Sequence, residues 1–290
     1  MEDLSPIAGR HRYPLTIANA AGLQDHRFLG QAVLPAVHAM EHLARTVDRV
    51  FPDVSLTFAE HIRFDKFLAL PTPDISTVPA FAEIETHPAG GIDAVLLTRH
   101  VAAKSGMTRM KVHARTRFNR SINTDVSLPQ APAWRNEKTD AYHLPVDRLY
   151  AEMVPFGTTF QNVVAPVWLR PEGAGTVVSG GAAGTDSNSL QLGSPFPLDA
   201  AMHAACAWAQ RYVGVVAFPV AMERRVIRQR TIPGQKYDVC VDFKAEDGTR
   251  LIFDLWLHDQ EGHLCEFIRG LTMRDVSGGR LQPPAWVRED

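Results

Sequence analysis

Val37, Met40, Leu43, Ala44, Val47, Val50 and Phe51 recur at three- and four-residue intervals, while Glu41, Arg45, Asp48 and Arg49 fill the positions between. This spacing predicts an amphipathic helix over residues 37–51. Pro35 stands near its start, where a missing backbone N–H does no harm, and Pro52 and Asp53 end it. The period then shortens. Residues 54–64, 78–85, 93–102 and 107–117 alternate and predict strands, with turn residues such as those at 88–91 between them. Residues 119–143 are polar, carry prolines and lack periodicity, which predicts a linker.

The second half repeats the plan. Residues 150–160 open it, strands are predicted over 162–170 and 176–180, and the small, polar stretch 180–193 reads as a loop. A second helix is predicted over 197–213, with Pro197 in its first turn and Leu198, Met202, Ala205, Trp208 and Tyr212 as its apolar stripe. Strands over 220–229, 236–244, 251–258 and 263–273 follow. Glu246-Asp247-Gly248 and Asp259-Gln260-Glu261-Gly262 give hairpin turns. Two successive units of one helix and an antiparallel meander imply a structural duplication and a layered α+β fold.

Composition narrows the function. The 290 residues hold 45% hydrophobic and 21% charged side chains, ample for a large core. Lys and Arg number 30 against 32 Asp and Glu, which leaves no basic excess for nucleic acid or an anionic membrane. Cys206, Cys240 and Cys265 are odd in number and have no CxxC spacing, as in a reducing compartment. The first residues carry no secretory signal and no stretch approaches the ~20 apolar residues of a membrane span. A cytoplasmic protein is expected.

Three segments carry candidate chemistry. His26, Gly30 and Pro35 lie just ahead of the first helix. A histidine there has an affinity for protons suited to a general base, Gly30 permits close backbone approach, and free N–H groups at the helix start can polarise a carbonyl. A loop histidine, a turn glycine and a helix-start proline would read the same way. Asp199 and His203 share a face of the second helix. The helix N-terminus favours the Asp199 anion and desolvation favours the neutral acid; a plain first-turn aspartate is the alternative. In the run Tyr150-x6-Gly157-x2-Phe160-Gln161, Gly157 beside Phe156 suggests a tight backbone site or simply a loop entering a strand. No P-loop, GxSxG or HExxH motif is present. His38 and His42 have metal-ligand spacing without a third ligand.

Together these segments resemble the dehydratase domains of polyketide and fatty acid synthases. His26, Gly30 and Pro35 match an HxxxGxxxxP motif, Asp199 and His203 a DxxxQ/H motif, and 156–160 (FGTTF) a YGPxF segment, in the same order along the chain. The resemblance runs from about residue 6 to 276 and implies a double hotdog, two long helices each wrapped by an antiparallel sheet. Residues 1–118 would form the first hotdog, 119–143 a linker, and 144–290 the second.

The resemblance further implies a 3-hydroxyacyl thioester dehydratase with His26 as base, Asp199 as acid and His203 supporting Asp199 or meeting the leaving hydroxyl. Gly30, Pro35, Phe156 and Gly157 would border the substrate. It implies no metal or redox cofactor, since the phosphopantetheine arm belongs to the substrate. The implied partner is an acyl carrier protein, with other synthase components and a homodimer as further candidates; no nucleic acid or membrane is implied. The departures are Ala36 after Pro35, Phe156 for a tyrosine and Thr158 for a proline. The same scaffold serves double-bond isomerases, pyran-forming cyclases and non-catalytic product-template modules, and a hydratase acting on CoA thioesters is a further alternative.

Overall fold

A computed structural model describes residues 9–87, 90–101, 106–119, 128–136, 140–183 and 190–289. The first strand, β1 (Arg10–Ala18), leads through a short helical turn, Ala21–Asp25, into a two-stranded hairpin, β2 (Arg27–Phe28) and β3 (Gln31–Ala32). Helix α1 spans Ala36–Val50. It is followed by β4 (Phe58–Phe64), β5 (Thr77–Thr86), β6 (Gly91–Val101) and β7 (Thr108–Asn119).

The second half opens with β8 (Tyr142–Leu144), a helical turn α2 (Val146–Arg148) and a wider turn over Leu149–Met153. β9 (Val167–Arg170) and β10 (Gly173–Ser179) come next, then helix α3 (Phe196–Tyr212). β11 (Phe218–Ile227), β12 (Lys236–Asp247), β13 (Arg250–His258) and β14 (Leu264–Arg274) complete the sheet. None of the described helices is long and apolar enough to cross a membrane.

Twelve strands form one sheet in the order β1-β5-β6-β7-β4-β11-β14-β13-β12-β10-β9-β8. The four strands after each helix obey one plan. The first of them lies at the centre, and the other three run outward in reverse order, the last against the first. The two copies meet where β4 pairs antiparallel with β11, for instance Ile62 with Met222. This is the double hotdog, with the duplication visible in strand order.

The helices differ in how they are enclosed. Helix α1 buries Val37, Met40, Leu43, Ala44 and Val47, the expected stripe. Helix α3 is buried on almost every side, from Pro197 to Gln210, rather than along one stripe. Its composition explains this: Ala200, Ala201, Ala204, Ala205, Ala207 and Ala209 offer no polar face, and a helix apolar all round must be enclosed. Small side chains also let the sheet approach it closely.

Residues 119–143 are not uniformly a linker. Tyr142–Leu144 pairs with β9 as a strand. Within 128–136, Trp134 donates through its indole N–H to Asp242 at 3.2 Å, and the Trp256 indole donates to the Pro129 carbonyl at 2.8 Å. Apolar anchors thus tie this stretch to the outer face of the second sheet, around Cys240, Trp256 and Phe267. The predicted linker and the loop at 180–193 otherwise fall partly outside the described residues.

Candidate active site

His26 ends the Ala21–Asp25 turn and is held by two bonds to one residue: its carbonyl accepts the Val33 N–H at 2.9 Å, and its Nδ1 lies 3.0 Å from the Val33 carbonyl. A carbonyl only accepts, so Nδ1 carries the proton and Nε2 keeps its lone pair. The ring stacks on Phe156 at 4.4 Å between centroids and meets the edge of Phe160 at 5.2 Å. Burial pushes its pKa below that of an ordinary histidine, although the Asp199 charge and the Val33 carbonyl act in the other direction. The ring therefore rests neutral, as a base must.

Asp199 stands in the first turn of α3, which presents it beside His26 from the other half of the chain. Its Oδ2 lies 3.1 Å from Nε2 of His203, one turn on, off the hydrogen-bond axis, and both atoms are sealed from solvent. Burial is the largest single influence and raises the Asp199 pKa, but His203, His26 and His38 together outweigh it, and the carboxyl is held below the usual carboxylate range. The anion expected from the helix N-terminus is favoured here by neighbouring histidines instead.

His26, Asp199, His203 and Phe156 all line one cavity of about 440 Å³ between the halves. Its other walls are largely apolar, with Leu34, Val154 and Met202 among them. Phe28, Phe67 and Phe218 cluster in its wall, with ring centroids 4.5 and 5.2 Å from Phe28. Lys66, Lys111 and Arg274 line it as well.

The remaining expected positions shape the site without lining it. Gly30 occupies the turn between β2 and β3 at φ +81°, where a side chain would be strained, and its Cβ position faces open space. Pro35 caps α1 at its N-terminus, and its neighbours Leu34 and Ala36 line the cavity. Gly157 is a close approach to protein: a Cβ there would lie 2.3 Å from Asp25 Cγ.

Asp25 is a positioning residue that sequence reasoning missed. Its carbonyl accepts the Gly157 N–H at 2.9 Å and its Oδ2 accepts the Thr159 N–H at 3.0 Å. The Thr159 bonds hold its carboxyl below the usual range. The residue next to His26 thus anchors the loop that stacks Phe156 on His26. Tyr150, the start of the glycine motif, is also part of the site: its oxygen accepts the Val163 N–H at 2.8 Å and lies 3.3 Å from His203 Nδ1. His38 and His42 are half-buried neutral bases, pushed down to about 4, chiefly by desolvation. Neither belongs to a metal-ligating cluster among the described residues.

Comparison with known proteins places these features. The family model described as polyketide synthase dehydratase N-terminal domain matches residues 131–283, which contain Asp199 and His203 but not His26. A search of curated protein sequences finds no match. Among solved structures, a trans-AT polyketide synthase dehydratase domain from Brevibacillus brevis is similar over 93% of this chain and 95% of its own, with a TM-score of 0.72 at 18% identity. The dehydratase domain from the CurF module of curacin polyketide synthase covers 94% and 95% of the two chains, with a TM-score of 0.74 at 14% identity. Two variants of the CurK dehydratase, one with a histidine replaced by phenylalanine and one with an aspartate replaced by asparagine, match with TM-scores of 0.69 and 0.70 at 14% identity. They cover 93% and 98% of this chain and 93% and 95% of their own, and both are described as inactive.

Proposed function

The chain belongs to the polyketide synthase dehydratase family, and on that premise we propose that it removes water from a 3-hydroxyacyl thioester presented by an acyl carrier protein, giving the α,β-unsaturated thioester. The observation that carries this reading is the convergence of His26 and Asp199 on one apolar cavity from opposite halves of the chain. The CurK variants add support. The two residues replaced there lie as far apart along that chain as His26 and Asp199 do in this one.

In this mechanism the acyl chain fills the apolar cavity and sets the thioester beside His26. Nε2 takes the proton from the carbon next to the carbonyl; the double bond forms as the C–O bond at the hydroxyl carbon breaks. First-turn N–H groups of α1, which lack acceptors within the helix, are available near Ala36 to stabilise charge on the carbonyl oxygen. Hydroxide leaves as water with a proton delivered by Asp199. In the empty site that carboxyl is an anion. An apolar chain withdraws remaining solvent from the cavity and so favours uptake of one proton from solvent by Asp199, whose neutral carboxyl then gives it to the leaving hydroxyl. Phe156 keeps the His26 ring aligned through its stacking face.

The test follows water loss by mass spectrometry from short and medium 3-hydroxyacyl thioesters, on carrier protein and on a pantetheine mimic. Wild-type protein is expected to dehydrate at least one, and His26→Ala and Asp199→Asn to lose ~10²–10⁴-fold in rate. Full activity in both variants, or isomerisation or ring closure in place of water loss, overturns the reading.

A further inference from the structure

We infer that Tyr150 fixes the tautomer of His203, so that His203 turns an N–H rather than a lone pair toward Asp199. Its catalytic consequence rests on the function proposed above; the tautomer itself does not. Tyr150 lies in the wider turn before β9 and is buried at 6% exposure. The Val163 N–H donates into its hydroxyl oxygen at 2.8 Å, so the oxygen is already engaged as an acceptor and the hydroxyl hydrogen is left to donate. His203 Nδ1 lies 3.3 Å away, and the ring stands nearly perpendicular to the phenol, at 87°. Nδ1 is thus the acceptor within reach of the hydroxyl hydrogen.

A neutral imidazole has one ring proton. In the neutral form of His203, with Nδ1 accepting from Tyr150, that proton sits on Nε2, the nitrogen 3.1 Å from Asp199 Oδ2. The other tautomer would turn its N–H to a phenol oxygen that already accepts from Val163, would deny the hydroxyl hydrogen Nδ1 as its acceptor, and would set a lone pair against the carboxylate at Asp199, where solvent does not screen it. Helix α3 fixes the spacing of Asp199 and His203 but not the side of the ring that carries the proton. Tyr150, from a different element, decides it. Tyr150 is thus a positioning residue that acts through His203 and sets which ring nitrogen carries the proton beside Asp199.

Long-range ¹H–¹⁵N spectra of ¹⁵N-histidine-labelled protein read the tautomer directly. Wild type is expected to show His203 with Nε2 protonated and Nδ1 not, and Tyr150→Phe to lose or invert that pattern. A wild-type His203 protonated on Nδ1, or an unchanged pattern in Tyr150→Phe, overturns the inference. Dehydration kinetics separate tautomer control from simple support. Tyr150→Phe should lower kcat by roughly tenfold or more in wild type, but by less than about twofold beside His203→Gln, whose amide offers an N–H without a tautomer. An equal loss in both backgrounds would mean that Tyr150 only packs. If wild type dehydrates no thioester, the proposed function fails while the spectra still decide the tautomer.

Discussion

His26 illustrates how one side chain is tuned by its surroundings. The Val33 carbonyl fixes its tautomer, and burial against Phe156 and Phe160 keeps it neutral below the pH at which a free histidine charges. The base is active when unprotonated, so the acid limb of kcat/KM should fall below pH 6.5, the ordinary histidine value. A limb at or above 6.5 would mean the ring is better solvated than its burial implies. Gly157 gives a second prediction at this scale. Gly157→Ala should cost about 1–3 kcal/mol of stability, because the new methyl overlaps Asp25 and something must shift. Moving Asp25 moves the turn that carries His26, so activity should fall further than stability alone explains; chemical denaturation and kinetics on one sample check this. The glycine was readable in the sequence as a tight site. Its partner was not, since Asp25 lies 134 positions from Thr159, whose N–H it accepts, and no local pattern links them.

At the scale of elements, the two helices were placed to within one residue at each end, because their periodicity and prolines are local signals. The missed strands have physical reasons. β1 is an edge strand interrupted by Pro14, a residue tolerated only where a backbone donor is dispensable. β2, β3 and β8 are two or three residues long, too short to show a period. A different limit, partners distant in sequence, hid Glu41, which sits among the polar positions of α1 yet is buried. Its carboxylate accepts the N–H groups of Gln191 and Leu192 at 2.8 and 3.0 Å and is paired with Arg45. One helix thereby grips the chain that leads into the other, only a few residues before Asp199. Glu41→Ala should destabilise by roughly 2–3 kcal/mol, the scale for bonds to a charged acceptor, and should lower kcat more than it raises KM. An unchanged kcat would show that α3 needs no such anchor.

The whole molecule joins two hotdogs through the β4–β11 seam, and that joint is where sequence reading stopped. Repetition of pattern announced two units, while their edge-to-edge pairing depends on contacts far apart in sequence. Several of the molecule's histidines are partly or fully withdrawn from solvent. Burial is the leading cause that lowers the pKa of His26, His38, His42, His113 and His258, with His38 and His42 near 4. An unfolded chain protonates each near 6.5, so below that pH the unfolded state binds more protons than the folded one. The stability these groups confer is therefore complete above pH 6.5 and is lost as the pH falls toward 4. His38 and His42 alone should each cost on the order of 2 kcal/mol at pH 5. Asp25, Asp199 and Asp275 have lowered values and lose their contribution only below about pH 4, outside this window. Asp254, whose pKa burial raises, opposes the trend and is one group against five. Urea midpoints should thus drop between pH 7.5 and 5. His38 packs between Phe160 and Phe196 without a partner for its Nδ1, so His38→Phe should remove part of that drop while leaving the midpoint at pH 7.5 nearly unchanged. Equal midpoints at the two pH values, in wild type, would mean that these rings reach solvent in the folded protein.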